Sequence, residues 1–413
     1  MAIPSFETTT QCEVEMIAPA AIGVTRPGSD MQARIDAVVA AARRNAETTD
    51  RDGRFPKEAF DELRAQRLLG LLLPRDCGGE AAPLSDVAQI CYALGRVCSS
   101  TAMIFAMHQA SVACIVRHAN WNSKFDGYMR RLGAEQILVA SSTTEGQSGA
   151  NMRTSASPII WDGDRISLSR DATVISYGRD ADAIVSTARK SDDSLPTDQV
   201  LALFFKDEYR LERTGNWDAL GMRGTCSEGF QLEASGEHDQ VLSDPYERIH
   251  RHTMVPVTHL LWGACWAGVA AGAVERAQMF VRKVARSAKG TLPPGAPFAT
   301  QASLSLMTLL NLLDSALADF GRRADDVNAL EDIGFQTSLN LLKVSASELS
   351  ILTVMHAFNA CGIVGYRNDS EFSIGRSLRD ILSSSIMINN NRILSNVASA
   401  SLIGGVPERL SRG

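Results

Sequence analysis

The sequence predicts an α+β protein in three parts: an N-terminal helical domain, a central small β-barrel or sandwich, and a C-terminal four-helix bundle. Three observations lead there. From Met31 to His118 apolar residues recur at helical spacing. From Ile137 to about Leu242 the period shifts towards two, and the short runs are punctuated by Gly163, Gly178, Asp192-Asp193, Gly215 and Gly236. From Pro256 onward four long segments carry small and apolar faces of bundle length. The boundaries drawn from these shifts are a loose arm over 1–30, a helical domain over 31–135, a β-domain over 136–245 and a bundle over 246–413.

Within the first part, Met31 to Glu47 is rich in Ala and Arg at helical spacing. Phe55-Pro56 opens a second helix, where the missing N–H of proline is harmless. That helix runs through Leu63 to Leu68 and ends at Gly70; Leu71–Pro74 and Cys77–Gly79 form a turn, and Leu84–Gly95 and Ser99–His118 read as two more apolar helices. In the second part the expected strands are Ile159-Ile160, Ile166–Leu168, Thr173–Ile175, Ala183–Val185, Val200–Phe205 and Phe230–Leu232. The bundle helices are expected over Leu260–Ala285, Gln301–Ala324, Gly334–Ala357 and Ser377–Ile403.

The chain has 413 residues, 45% hydrophobic and 21% charged, enough for a large core in two or three domains. Its net charge of −6 argues against nucleic acid or an anionic membrane as the main partner. Eight scattered cysteines without a CxxC pair read as reduced, mostly buried thiols of a cytoplasmic protein, and no metal is expected. No signal peptide is evident at the N-terminus. Val255–Ala273 contains His259 and several Gly and Ala, so a buried helix is expected rather than a membrane span.

The most informative stretch is Ile137 to Thr154. A short apolar strand, Ile137–Ala140, delivers four hydroxyls, Ser141, Ser142, Thr143 and Thr144, then Glu145 and a turn-rich Gly146–Gly149. Such a strand end can present side-chain oxygens and backbone N–H groups to one planar polar ligand. An ordinary Ser/Thr-rich loop is the alternative reading of the same residues.

The order Ala-x-x-x-Thr-Glu-x-x-x-Gly resembles the flavin-binding signature of the acyl-CoA dehydrogenase family, with Gly146, Ala150 and Asn151 departing from it. Other phrases resemble the same family. Phe55-Pro56 through Gly70 and Pro74 to Gly78-Gly79 is similar to its N-terminal domain; Gly221-Met-Arg223 to the phrase closing its β-domain; Val269–Ala277 and Arg376-Ser-Leu-Arg379-Asp380 to its bundle. The resemblance spans roughly residues 31 to 405. It implies FAD as cofactor and a homodimer or homotetramer with FAD at the subunit interface.

By this resemblance Thr143 and Thr144 would meet the flavin's pyrimidine edge, and Gly149 would let the backbone approach the phosphates. Ser176 would stand on the second flavin strand, where Val174 replaces an indole and Tyr177 is a candidate cover for the ring. Arg286 would serve the adenine half of a neighbouring subunit's FAD, Asn359 stands in place of a family glutamine as a further cofactor-binding candidate, and Asn390 lies in a cluster, Asn389 to Asn391, open to the flavin or substrate. The family's dehydrogenases need a carboxylate base, and both of its usual positions are altered: one falls on Ile388 and the other on Thr258. His259, next along the helix, is the remaining candidate for proton transfer near neutrality, with a helix histidine bonded to a backbone carbonyl as the alternative. Three functions follow: oxidation of a CH–CH group in an unusual acyl thioester, bound to CoA or a carrier protein, with electrons passed to an acceptor protein or O2; a flavin-dependent monooxygenase or hydroxylase needing no α-proton base; or an inactive binding scaffold.

Overall fold

The computed structural model describes residues 28–119, 123–146 and 152–403. Five helices come first: α1 (Ser29–Asp52), α2 (Lys57–Ala65), α3 (Leu84–Gly95), α4 (Ser99–His118) and α5 (Ser123–Ala134). α3 and α4 occupy the ranges their periodicity predicts. α2 stops at Ala65, short of the expected Gly70, and Arg67 beyond it takes a left-handed φ of 54°. α5 is not among the predicted helices, although Phe125, Met129 and Leu132 at helical spacing are all buried on its inner face.

The β-domain has seven strands: β1 (Val139–Ser142), β2 (Ile160–Asp162), β3 (Arg165–Ile175), β4 (Ala183–Arg189), β5 (Gln199–Phe205), β6 (Tyr209–Gly215) and β7 (Glu228–Glu237). They form two sheets, β1-β4-β5 and β2-β3-β7-β6. β1 runs parallel to β4, with Val139 opposite Ala183, and the other pairs are antiparallel. β5 is buried along its whole length and β4 along all but Arg189, which is why both read as unbroken apolar runs. Two predicted runs, Ile166–Leu168 and Thr173–Ile175, are one alternating strand, β3. β6 escaped prediction because it is an edge strand whose Arg210, Glu212 and Arg213 face solvent.

A short helix α6 (Tyr246–Ile249) passes through a π-helical turn, His250–Met254, into α7 (Val255–Ser287). Then follow α8 (Ala296–Arg323), α9 (Val327–Glu331), α10 (Ile333–Cys361), α11 (Ile363–Tyr366), α12 (Gly375–Ile381) and α13 (Asn390–Ile403). Four stretches, on α4, α6–α7, α8 and α10, are long and apolar enough to cross a membrane by length and composition alone; that of α6–α7 is wholly buried inside the fold. α7 crosses α3 at two glycines. A Cβ on Gly268 would meet Tyr92 O at 2.3 Å, and one on Gly95 would meet Cys265 O at 2.5 Å, so only glycine permits this approach. The seven described cysteines are free and buried.

The expected fourth bundle helix, Ser377–Ile403, is not continuous. α12 gives way to a 3-10 turn at Leu382–Ser385, Ile388 adopts φ 44°, and the helix restarts at Asn390. Helical periodicity on both sides hid the break, which is bonded to a side chain on α10 described below.

Candidate active site

β1 ends in the predicted row of hydroxyls. Ser142 is fully buried and its Oγ has no partner. Thr143 and Thr144 are half-buried, and neither hydroxyl is bonded among the described residues. An antiparallel bridge between Glu145 and Ala172 lays this pair alongside the end of β3. Gly149 lies outside the described residues.

Glu145 shapes this turn. It is buried; Oε1 accepts from Ser155 Oγ (3.0 Å) and Ser157 N (3.3 Å), and Oε2 from Ala156 N (2.6 Å). Arg170 Nη1, also buried, lies 3.2 Å from Oε1 and donates to Thr187 O as well. Burial draws the guanidinium down to about 10, so it remains charged at neutral pH. The carboxylate of the Thr-Glu phrase is therefore a fully engaged structural group.

Ser176 sits where β3 ends, half-buried. Its Oγ is 2.8 Å from Ser227 Oγ, which is 2.8 Å from Thr225 Oγ1; Thr225 in turn donates to Met222 O at 2.8 Å. Since Thr225 has spent its proton on a carbonyl, Ser227 must donate to Thr225 and Ser176 to Ser227. Ser176 thus keeps acceptor capacity for a ligand. The chain continues across the domain boundary, because Met222 N–H donates to Asp380 Oδ1 at 2.7 Å. Asp380 is buried, accepts also from Ser99 Oγ, and so ties α4, the β-domain and α12 together. A Cβ on Gly221 would meet Arg379 O at 2.3 Å, and Arg379 pairs with Asp50 on α1.

Val174 is exposed at a bulge between β3 and β7. Tyr177 as a cover for a flavin ring is corrected: its ring is in the core, its φ is 44°, and its hydroxyl donates to Val139 O at 3.0 Å.

On the bundle side, Thr258 and Ile388 supply no titratable group, and His259 does not replace one. His259 is 1% exposed, and Nδ1 lies 3.1 Å from Leu339 O, which fixes the proton on Nδ1 and leaves the Nε2 lone pair buried without a partner. Burial pushes the imidazole down to about 3. Proton transfer by His259 near neutrality is therefore corrected: the alternative, a helix histidine on a carbonyl, describes it. His108 on α4 is similar, bridging Leu69 O (2.8 Å) and Val139 N (3.0 Å), with burial pushing it down to about 4.

These two histidines give a pH prediction. Each folded imidazole titrates below its unfolded value near 6.5, so the unfolded chain takes up the proton first as pH falls. Stability is lost from about pH 6.5 downwards, on the order of 3 kcal/mol for each group by pH 4. Denaturant midpoints measured at pH 7 and pH 4.5 are expected to fall steeply; equal midpoints would contradict the buried neutral state.

Asn390, an expected flavin contact, is turned towards α10. Its Oδ1 accepts from Lys343 Nζ at 2.7 Å and its Nδ2 donates to Ser347 Oγ at 2.9 Å, so α10 engages the amide at both ends. Lys343, fully buried, was not a candidate from sequence. The available signal was a lysine in phase with Leu339, Leu342 and Ala346 on the inner face of an apolar helix.

Arg286 and Asn359 are both exposed and bond to nothing among the described residues. They share one end of the bundle, since the loop before α8 packs through Gly295 onto Ala360. Arg286 stands about 40 Å along α7 from His259 at 1.5 Å per residue, so one chain does not bring the two together.

A cavity of about 1070 Å³ opens between α3, α4, α7 and α8. Ala88, Tyr92, Ala113, Val257, Ala264 and Leu313 contribute to a largely apolar wall, with Arg117 and Asp314 its charged residues. Val257 adjoins Thr258.

Residues 29–125 match the family of the acyl-CoA dehydrogenase N-terminal domain. Cyclohex-1-ene-1-carbonyl-CoA dehydrogenase of Geobacter metallireducens is 25% identical over 362 residues, covering 86% of this chain and 92% of that protein. Dibenzothiophene monooxygenase of Rhodococcus erythropolis is 24% identical, covering 59% of this chain and 60% of that one. Among solved structures, FMN-bound TdsC from Paenibacillus sp. A11-2 aligns with a TM-score of 0.80 at 18% identity, over 92% of this chain and 98% of that chain. Methanesulfinate monooxygenase MsuC of Pseudomonas fluorescens aligns with a TM-score of 0.77 at 18% identity over the same shares. These structures share the three-part fold described above.

Proposed function

Because the chain belongs to the acyl-CoA dehydrogenase family of flavoproteins, we propose that it uses the fold as a flavin-dependent monooxygenase acting on a small, largely apolar substrate. The observation that carries this reading is the missing base. Ile388 and Thr258 cannot take a proton, and the neighbouring His259 is held neutral down to about pH 3. Removal of an α-proton from a thioester needs a base within reach; oxygenation does not. The apolar cavity beside α7 is the proposed substrate space.

The β-domain residues fit a flavin. Ser142, Thr143 and Thr144 offer hydroxyls without partners among the described residues, Ser176 has acceptor capacity for a ring N–H, and the carboxylate of Glu145 is already engaged. A bound reduced flavin would supply the electrons that activate O2; this chain's part is to orient the ring, exclude water and keep negative charge away from it. The reduced flavin would come from a separate reductase. Seven free, buried cysteines support a reducing, cytoplasmic setting for it. The second reading, a dehydrogenase of an unusual acyl thioester, is supported by the near full-length likeness to cyclohex-1-ene-1-carbonyl-CoA dehydrogenase.

Flavin-loaded protein under argon separates the two readings. It is expected to stay oxidised there with acyl-CoA thioesters and, once returned to air, to oxygenate an apolar substrate only when reduced flavin is supplied. Bleaching by an acyl-CoA thioester would overturn the monooxygenase reading.

We further take FAD as the cofactor and a dimer or tetramer as the working form. Arg286 and Asn359, exposed and bonded to nothing among the described residues, support both points. Arg286→Ala is expected to weaken FAD about tenfold, the scale of a lost charge-assisted hydrogen bond, and to leave FMN affinity unchanged. Equal losses for FAD and FMN, or a flavin-loaded monomer by light scattering, would count against this.

A further inference from the structure

We propose that Lys343 is a positioning residue, whose ammonium holds residues 384–390 in the shape that the substrate side of the site requires. This rests on the reading above in taking Ile388 as the position where the resemblance puts the dehydrogenases' base; residues 384–390 are not among those lining the cavity beside α7. Lys343 Nζ donates to Ser384 O (2.9 Å), Ile388 O (2.8 Å) and Asn390 Oδ1 (2.7 Å). An ammonium has three protons, and all three go to one short stretch of chain. None of the acceptors is a carboxylate. A buried charge without a counter-ion is unfavourable unless its hydrogen bonds are met, so what Lys343 contributes is the clamp.

The clamped segment is one that would not keep its shape unaided. Ile388 has φ 44°, a left-handed conformation that β-branched side chains strongly disfavour. It stands between a 3-10 turn and the restart at Asn390. Asn390 adds a second tie to α10 through Ser347 Oγ. The Trp266 ring, 5.6 Å from Nζ, lies beside the clamp on the α7 side. The titratable group facing Lys343 is His259 on α7, which is neutral; the segment itself presents Ser384, Ile388 and Asn390. Where the family's dehydrogenases would place a carboxylate, this chain has an apolar side chain backed by a fixed cation.

Burial draws Lys343 down to about 8. Above that pH the amine keeps two protons for three acceptors, and the clamp loosens. Stability moves the other way. The unfolded lysine titrates near 10.5, so between about 8 and 10.5 the unfolded chain binds the extra proton and stability rises with pH. A lysine with only a structural role gives the second trend without the first.

The test uses flavin-loaded protein with Lys343→Met, Lys343→Arg and Asn390→Ala, read by amide hydrogen exchange and by air reoxidation of the photoreduced flavin. In Lys343→Met, exchange over 384–390 is expected to speed up by at least about tenfold, and reoxidation to become faster and independent of pH. The natural protein is expected to reoxidise faster above pH 8, and Lys343→Arg to move that rise to higher pH. Asn390→Ala, which removes one acceptor, is expected to speed exchange about threefold and serves if Lys343→Met does not fold. Unchanged exchange over 384–390 in the variants would overturn the clamp. Faster exchange with unchanged reoxidation would overturn the segment's place at the site, while retained flavin absorbance reports separately on the flavin reading.

Discussion

Glu145→Ala is expected to cost about 3–5 kcal/mol of stability and to abolish flavin retention. The substitution leaves Arg170 buried and unpaired, and strips partners from Ser155 Oγ and from the amides of Ala156 and Ser157. Breaking one half of a buried ion pair is far more harmful than never having had it. The same turn carries Thr143 and Thr144, so the hydroxyls proposed to face the flavin lose their support together with the pair. A double-mutant cycle checks the assignment. Arg170→Met alone is expected to destabilise, and Glu145→Gln with Arg170→Met to recover at least about 1 kcal/mol over the sum of the single changes. Urea unfolding and flavin titration measure both effects. A Glu145→Ala protein within about 1 kcal/mol of the natural one would show that the carboxylate does not organise the turn.

The second large effect is at Asp380. Asp380→Ala is expected to cost about 3 kcal/mol, because it leaves Met222 N–H and the Ser99 hydroxyl without partners in the interior. Its functional consequence is distinct from that of Glu145. The hydroxyl chain from Ser176 ends on Met222 O, so loosening the Met222 backbone disturbs the end of β3, the proposed second flavin strand, from the bundle side. Asp380→Asn keeps the shape and an acceptor for Met222, and is expected to cost only about 1 kcal/mol. Thermal unfolding together with limited proteolysis distinguishes the two variants. Equal melting temperatures for Asp380→Ala and the natural protein would remove the latch from the account.

Much of this molecule is legible in its sequence, for a local reason. Helical and strand periods are properties of neighbouring residues, so the helix–sheet–helix order and the ranges of α3 and α4 follow from the chain alone. The hydroxyl row at the end of β1 and the lack of a carboxylate at Ile388 and Thr258 are likewise read residue by residue. β6 and the break between α12 and α13 were not legible, because an edge strand can be polar and a break can be imposed from a distant helix.

The chemistry of the site was decided by tertiary structure. Ser176 and Tyr177 are neighbours in sequence, yet one faces the candidate flavin site and the other is core. Asp380 reaches Met222 across 158 residues, and Lys343 reaches Asn390 across 47. An exposed histidine titrates near 6.5; His259 takes its value of about 3 from burial. Sequence by itself determined which side chains could hydrogen-bond or titrate. Only the fold decided which were buried and against what, because desolvation and hydrogen-bond partnership depend on atoms brought together from distant parts of the chain.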